Sequence, residues 1–251
     1  MQNISDKLVV ALDVENLAKA KKLVDALFPV VKIFKVGSQL FTACGLDAVK
    51  MVGEKGAKVF LDLKFHDIPQ TVFSAVTSGT GAACAPAFVS NTSPNIEKNI
   101  KEVIQYPVFM MTVHAEGSIR MLEAAVRGAT EKAQELHIKK PLIVGVTVLT
   151  SENDSGNVKE VVMERARKAK EAGLDGVVCA VAEAALVRKE FGNDFIIVTP
   201  GIRPIGATAD DQQRTATPQE AIAAGANFIV VGRPILEAKD PLEAVKNLLQ
   251  A

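Results

Sequence analysis

The chain has 251 residues, 48% of them hydrophobic and 23% charged, so it is long enough to bury a full core and short enough to be one domain. Basic and acidic residues number 29 each, and this balance argues against a nucleic-acid-binding protein and against an acidic disordered chain. We therefore expect a single domain, residues 1–251, that acts on a small polar molecule.

Targeting and metal-binding signals are not found in the sequence. The first residues lack the charged region and apolar run of a signal peptide, and no later apolar stretch approaches the roughly 20 residues that span a bilayer. Cys44, Cys84 and Cys179 lie far apart, and the histidines form no recognised metal-ligand pair. We expect a cytoplasmic protein with no membrane association, no disulfide framework and no tightly bound metal.

Short apolar runs rich in β-branched residues recur along the chain and predict eight strands. They cover residues 7–14, 33–37, 59–64, 108–114, 142–150, 176–180, 195–202 and 228–234. Such continuous hydrophobicity is typical of parallel strands covered by helices on both faces. Segments with helical spacing separate the runs, and this alternation predicts a single-domain (β/α)8 TIM barrel. No GxGxxG motif follows the first strand, which disfavours an open dinucleotide-binding sheet.

The connection between the third and fourth predicted strands, residues 65–107, is longer than a barrel crossover usually needs. Pro69 predicts the first turn of a helix that ends at the glycines within residues 79–81. Beyond them, helical periodicity predicts an added amphipathic helix at about 94–105. We assign it to an insertion at about 79–107 that forms a surface elaboration or a subunit contact.

Polar residues close most of the predicted strands, and the carboxyl ends of the strands build the active site in barrels of this type. In chain order they are Asp13, Lys35 followed by Gly37, Asp62 with Lys64, His114, Thr150, Arg203, and Gly232 with Arg233. The amino ends of the same strands show no such pattern. We therefore predict a site at the carboxyl-end mouth of the barrel, where His114 either takes part in chemistry or only packs.

The segment DLKFHDIP, which begins at Asp62, is the most informative. Side chains alternate along a strand, so Asp62 and Lys64 are predicted to share one face. Burying a carboxylate with an ammonium requires mutual neutralisation, and Lys35 and Asp67 would complete a balanced cluster. A lysine between two carboxylates stays protonated, which makes it a candidate proton donor. A lone Asp–Lys pair could be purely structural, but four charges converging at strand ends favour a functional site.

The sequences PGIRP and VVGRP lie at the ends of the seventh and the eighth predicted strands. Phosphate sites in these barrels use the loops at these positions, where glycine exposes backbone N–H groups and arginine offers a bidentate fork. Arg203 and Arg233 are therefore candidate phosphate ligands. The polar loop between them has the composition of a lid, from which Gln212 or Gln213 could close on the substrate.

These motifs resemble those of the orotidine 5′-monophosphate decarboxylase family. The resemblance rests on ALD, FKVG, DLKFHDIPQT, VTVLTS, TPGIR and VVGRP in this order, and it extends over nearly the whole chain except about 79–107. It implies an enzyme without a cofactor that converts orotidine 5′-monophosphate (OMP) to uridine 5′-monophosphate (UMP), the last step of pyrimidine nucleotide synthesis. It also implies a homodimer.

The resemblance implies a charged catalytic tetrad of Lys35, Asp62, Lys64 and Asp67. Lys64 would deliver the proton to C6 of the pyrimidine. Asp67 would reach into the site of the neighbouring subunit. No metal ion takes part in the implied reaction.

The resemblance also implies a set of substrate-binding residues. They are Asp13, Lys35, Asp62, Ile68, Thr71, Thr150, Arg203, Gln212, Gly232 and Arg233. Asp13 and Lys35 would hold the ribose hydroxyls and Thr150 the pyrimidine edge. The phosphate would be bound by Arg203, Gln212, Gly232 and Arg233. Ile68 and Thr71 would enter from the partner subunit.

Two other functions stay open from the residues themselves. Sugar-phosphate decarboxylases and aldolases on similar barrels also carry an Asp-x-Lys-x-x-Asp cluster, but they use Mg²⁺ to stabilise an enediolate. Such sites usually need a further carboxylate near the metal, and the predicted strand ends offer no obvious glutamate. A non-catalytic barrel that binds a phosphorylated ligand is the other alternative, because the fold hosts many functions.

Overall fold

Eight parallel strands close into a barrel, in chain order, in the computed structural model, which describes residues 4–82, 108–149, 157–204 and 214–250. The strands are β1 (Leu8–Ala11), β2 (Ile33–Gly37), β3 (Lys58–Phe65), β4 (Val108–His114), β5 (Leu142–Val146), β6 (Gly176–Val178), β7 (Ile196–Thr199) and β8 (Phe228–Val231). Strand β8 pairs with β1 and completes the ring. The predicted (β/α)8 barrel is confirmed.

Helices surround the barrel and connect successive strands. They are α1 (Leu17–Leu27), α2 (Ser38–Cys44), α3 (Leu46–Glu54), α4 (Pro69–Gly81), α5 (Ile119–Glu135), α6 (Val158–Glu171), α7 (Val181–Phe191), α8 (Pro218–Ala223), α9 (Arg233–Leu236) and α10 (Pro241–Gln250). Asn16 and Ser118 cap α1 and α5 through their side chains, and Thr217 forms a capping box with Glu220 at α8. Of the helices described, none combines the length and the apolarity that crossing a bilayer requires.

The core has two layers, separated by the wall of the barrel. The inner layer fills the barrel and consists mainly of Val9, Ala11, Ile33, Phe60, Met110, Val144, Val198 and Val230. The larger outer layer lies between the strands and the helices. All four residues of β1 are buried, as expected for a strand with apolar contacts on both faces. The packed inner layer holds in place the side chains at the carboxyl-end mouth of the barrel.

The helix predicted from Pro69 is present as α4, but Gly79 lies within it and does not end it. A Cβ atom at Gly79 would lie 2.6 Å from Sδ of Met111, so the glycine allows α4 to pack closely against β4. The helix ends at Gly81, within the glycines that were predicted to end it. The helix predicted at about 94–105 lies outside the described residues.

Candidate active site

A cavity of about 690 Å³ opens at the carboxyl ends of the strands. Its charged lining residues are Asp13, Lys35, Asp62, Lys64, Arg203, Arg233 and Glu237. Its apolar lining includes Ala11, Phe60, Val146, Val178, Val198 and Val230. The structure thus brings Asp13, which follows β1, and the charged residues of β2 and β3 together with the arginines that follow β7 and β8.

Asp62 lies at the centre of the charged cluster and is only 8% exposed. Its Oδ2 atom is 2.9 Å from Nζ of Lys64 and 3.5 Å from Nζ of Lys35. The ammonium of Lys35 also donates to Oδ1 of Asp13 at 3.0 Å. Two carboxylates and two ammonium groups therefore alternate across three strands, and this balance makes their burial tolerable.

The electrostatics keep both buried groups of this cluster charged. Burial opposes ionisation of Asp62, but the charges of Lys35 and Lys64, with hydrogen bonds from Lys64 and Thr112, hold the pKa of its carboxyl below the ordinary value. Burial likewise opposes the charge on Lys35, but Asp62 and Asp13 outweigh it and raise the pKa of the lysine. Asp62 and Lys35 are therefore both charged at neutral pH.

A bulge in β3 places Lys64 at the mouth of the barrel. Leu61 pairs with Met111 of β4 and Phe65 pairs with Val113, so three residues of β3 lie opposite one residue of β4. Lys64 has a φ of +52°, a left-handed conformation that is uncommon for residues other than glycine. Simple alternation along a regular strand, the basis of the sequence prediction, does not describe this geometry.

The single residue of β4 opposite the bulge is Thr112, which the sequence analysis missed. Its Oγ1 atom accepts a hydrogen bond from the backbone N–H of Lys64 at 2.8 Å and donates to Oδ1 of Asp62 at 2.9 Å. Thr112 is completely buried. A threonine in the middle of the otherwise apolar run VFMMTVH was the available signal, because a buried hydroxyl needs partners.

The residues predicted to bind phosphate line the side of the cavity formed by β7 and β8. Arg203 is 6% exposed, and its backbone N–H donates to the carbonyl of Ala216, which fixes the chain after β7. Gly232 precedes α9, and Arg233 is the first residue of that helix. Two guanidinium groups lining one cavity make this side suited to a dianionic group such as phosphate.

Asp67, Ile68 and Thr71 do not join the cavity of their own chain. All three are exposed, and the side chain of Ile68 reaches 67% exposure. Oδ1 of Asp67 accepts a hydrogen bond from the N–H of Ile68. Within one chain, Asp13 and not Asp67 is therefore the second carboxylate of the cluster, because the chain turns away after β3.

Two further predicted site residues, Thr150 and Gln212, lie outside the described residues, as does Gln213. His114 is half-buried at the end of β4, with its ring centroid 5.6 Å from that of His66. Burial lowers the pKa of His114, and the neighbouring His66 and Lys64 act in the same direction. Neither histidine lines the cavity.

A metal-binding site needs several ligating side chains close together. The described parts of the chain contain no group of three or more histidine, cysteine, aspartate or glutamate residues arranged for that purpose. Of the carboxylates that line the cavity, Asp13 and Asp62 are each bonded to Lys35 or Lys64, and Glu237 follows directly after α9.

Comparisons with known proteins find relatives that match nearly the whole chain. Residues 6–248 match the family described as "Orotidine 5'-phosphate decarboxylase / HUMPS family". The chain is 44% identical to the orotidine 5'-phosphate decarboxylase of Moorella thermoacetica over 96% of this chain and 90% of the relative, and 42% identical to that of Syntrophotalea carbinolica over 97% and 93%. The crystal structure of the Lactobacillus acidophilus enzyme of the same name superposes with a TM-score of 0.76, at 32% identity and 97% coverage of both chains.

Proposed function

The chain belongs to the orotidine 5'-phosphate decarboxylase / HUMPS family, and we propose that it converts OMP to UMP and CO₂, the last step of UMP biosynthesis. One observation carries the proposal: the alternating cluster around Asp62 and the arginine pair line a single cavity. Strands β3 and β7 lie four positions apart in a ring of eight, so Asp62 and Lys64 lie across the mouth from the chain that carries Arg203. A nucleotide with a phosphate at one end and a reacting carboxylate at the other fits this division.

The reaction makes a demand that the charged cluster can meet. Breaking the bond between C6 and the carboxylate leaves an electron pair on C6, with no adjacent carbonyl positioned to accept it. Preorganised positive charge close to C6 is then the main source of stabilisation. Lys64 supplies this charge from its ammonium group and transfers a proton to C6, and solvent later reprotonates the resulting amine.

Asp62 and Lys35 hold Lys64 in place for this step. The carboxylate of Asp62 contacts both ammonium groups, so neither lysine can move freely without losing a buried charge partner. The reaction uses only these side chains, and we expect it to need no metal ion or organic cofactor. The array is charged before the substrate binds, so little reorganisation is needed during the reaction.

The remaining lining residues bind the rest of the nucleotide. Asp13 and Lys35 hold the ribose hydroxyls, while Arg203, Gly232 and Arg233 bind the phosphate. Thr150 at the pyrimidine edge and Gln212 at the phosphate complete the set by resemblance to the family. Binding the distant phosphate contributes to the rate by orienting C6 against Lys64.

We further propose that the active form is a homodimer in which Asp67 completes the tetrad of the neighbouring site. The exposure of Asp67 and Ile68 near the barrel mouth supports this arrangement, because a residue facing outward from its own cavity is available to a second copy. Thr71, in the first turn of α4, lies on the same exposed segment.

The test follows the loss of ultraviolet absorbance when OMP is mixed with purified protein, with and without EDTA. We expect turnover by the wild type in EDTA, no turnover by Lys64→Ala, and unchanged turnover by Lys58→Ala, a control at the opposite end of the same strand. Folded Lys64→Ala protein that kept substantial activity would remove Lys64 from the donor role. No turnover by folded wild type would instead favour the Mg²⁺-dependent sugar-phosphate reaction, to be tested with ketose phosphates.

A further inference from the structure

Thr112 connects the two residues on which the proposed chemistry depends, although it does not line the cavity. We propose that Thr112 is a positioning residue whose hydroxyl fixes the carboxylate of Asp62 and the backbone of Lys64 at the same time, and thereby holds the proton donor in its reactive position. This inference rests on the proposed function. It concerns how the site is built, not which reaction takes place there.

The register of β3 against β4 explains why a side chain is needed here. Between the paired positions at Leu61 and Phe65, the backbone of β3 bulges away from β4, and ordinary ladder hydrogen bonds are interrupted. At this interruption the backbone N–H of Lys64 donates to the Oγ1 atom of Thr112, at 2.8 Å. The hydroxyl of Thr112 thus provides a hydrogen bond between β3 and β4 where the regular pairing of the strands is interrupted.

The direction of each hydrogen bond at Thr112 is fixed by chemistry. A backbone N–H can only donate, and an ionised carboxylate can only accept. The hydroxyl proton must therefore point to Oδ1 of Asp62, at 2.9 Å, while a lone pair accepts from Lys64. One hydroxyl satisfies both neighbours only in this orientation, which couples the rotation of the carboxylate to the backbone of Lys64.

As a consequence, the two carboxylate oxygens of Asp62 have different partners. Oδ1 is held by Thr112, and this leaves Oδ2 directed at the ammonium groups of Lys64 and Lys35, at 2.9 Å and 3.5 Å. The same hydroxyl supports the left-handed conformation of Lys64, which has a φ of +52°. Without this hydroxyl, the carboxylate of Asp62 and the backbone of Lys64 can both move. Such movement displaces the ammonium group of Lys64 from the position that proton transfer requires.

The experiment replaces Thr112 with valine, which keeps the shape and removes the hydroxyl, and with serine, which keeps the hydroxyl. For Thr112→Val we expect kcat for OMP to fall about tenfold to hundredfold, as for loss of a hydrogen bond to a charged group, while KM changes less than about threefold. KM should change little because Arg203 and Arg233, which bind the phosphate, follow β7 and β8 on the other side of the barrel from Thr112 on β4. Thr112→Ser should recover most of kcat.

Thr199→Val is the matched control, because Thr199 is a buried strand threonine whose hydroxyl donates to the carbonyl of Phe228 and not to a charged group. Its kcat should stay near that of the wild type. If Thr112→Val does not fold, Thr112→Cys decides the matter, since its thiol fills a similar volume but is a weaker donor and acceptor. A reduced kcat with nearly constant KM in that variant supports the inference.

Two results would overturn the assignment of Thr112: a kcat unchanged in both the valine and cysteine variants, or a serine variant as impaired as the valine one. Wild type and Lys64→Ala are assayed in parallel. If the wild type does not turn over OMP, the proposed function fails. If the wild type is active and Lys64→Ala is not, an unimpaired Thr112→Val variant refutes only the role of Thr112.

Discussion

The ammonium group of Lys35 lies against the backbone of Gly37, the last residue of β2. A Cβ atom at Gly37 would be 2.7 Å from Nζ of Lys35 and 3.2 Å from Oδ1 of Asp13. The φ of Gly37 is −96°, a value that any residue adopts, so space and not backbone conformation requires glycine here. The sequence pattern FKVG therefore encodes both the lysine and the room for its charged end.

We predict that Gly37→Ala reduces kcat/KM for OMP by about tenfold or more, since small displacements of charged groups at a reacting site have large effects. The melting temperature should change little, because the group displaced is the end of a flexible side chain. Gly81→Ala is the control, since its added methyl would press on Cε of Lys132, remote from the site. Steady-state kinetics and thermal unfolding of both variants check the prediction. Unchanged kcat/KM in Gly37→Ala would mean that the position of Lys35 is not critical.

Asp62 should also make stability depend on pH. Burial raises the pKa of this carboxyl, but the charges of Lys35 and Lys64 and the hydrogen bond from Thr112 outweigh burial and hold the pKa below its ordinary value. Asp13 lies on the far side of Lys35. A lowered carboxyl pKa adds stability above the unfolded-state pKa of about 3.9, and this stability is lost as the pH falls through the lower folded-state pKa.

The measurement is urea unfolding of the wild type and of Asp62→Asn between neutral pH and pH about 2, where carboxyl groups titrate. We expect the wild type to be more stable at neutral pH, where the asparagine leaves two ammonium groups without their shared partner. The difference should shrink as the pH falls below about 4. A difference that stayed constant with pH would contradict the lowered pKa.

At the scale of the element, β3 shows what a sequence pattern can and cannot give. Asp62 and Lys64 lie together as predicted, but a bulge in β3 and not simple alternation brings them into contact. Alternation could not give the bulge, which depends on the register of β3 against β4. Thr112 was missed for the same reason, since its partners lie 50 and 48 residues away in the chain.

Helix α7 is tied to the chain before α8 by a buried ion pair between Glu183 and Arg214, whose side chains are 3% and 12% exposed. Burial raises the pKa of Glu183, and Arg214 opposes that effect. The attraction between the two charges therefore offsets part of the free energy that their burial costs. Removing one partner leaves the other charge buried without compensation.

We predict that Glu183→Gln lowers the free energy of unfolding by about 3 kcal/mol, the scale for breaking a buried pair. Glu190→Gln, which breaks an exposed pair with Arg167, should cost less than about 1 kcal/mol. Chemical denaturation of both variants at neutral pH measures the two costs. Equal costs would show that Glu183 and Arg214 behave as a solvated surface pair.

At the scale of the whole molecule, the barrel was predictable because its strands are buried on both faces and therefore appear as apolar runs. Strand ends were less predictable: the run at 142–150 contains β5 only as far as Val146. Apolar residues continue beyond the strand because Val148 is buried at the cavity and lines it. The proposed role of Asp67 depends on a second chain, whose position no pattern within one sequence specifies.

The proposed homodimer predicts that two inactive variants regain activity when they are mixed. A site built from one chain would not show this recovery. If each site combines Lys64 of one chain with Asp67 of the other, Lys64→Ala and Asp67→Asn homodimers are both inactive. A mixed dimer has one site with both changes and one site with neither. Unfolding and refolding equal amounts of the two variants together should therefore restore about one quarter of wild-type activity, because half the dimers are mixed and each has one intact site. If the two variants are separately inactive, a refolded mixture that stayed inactive would mean that Asp67 serves its own chain, and the exposed segment from Asp67 to Thr71 would then need another explanation.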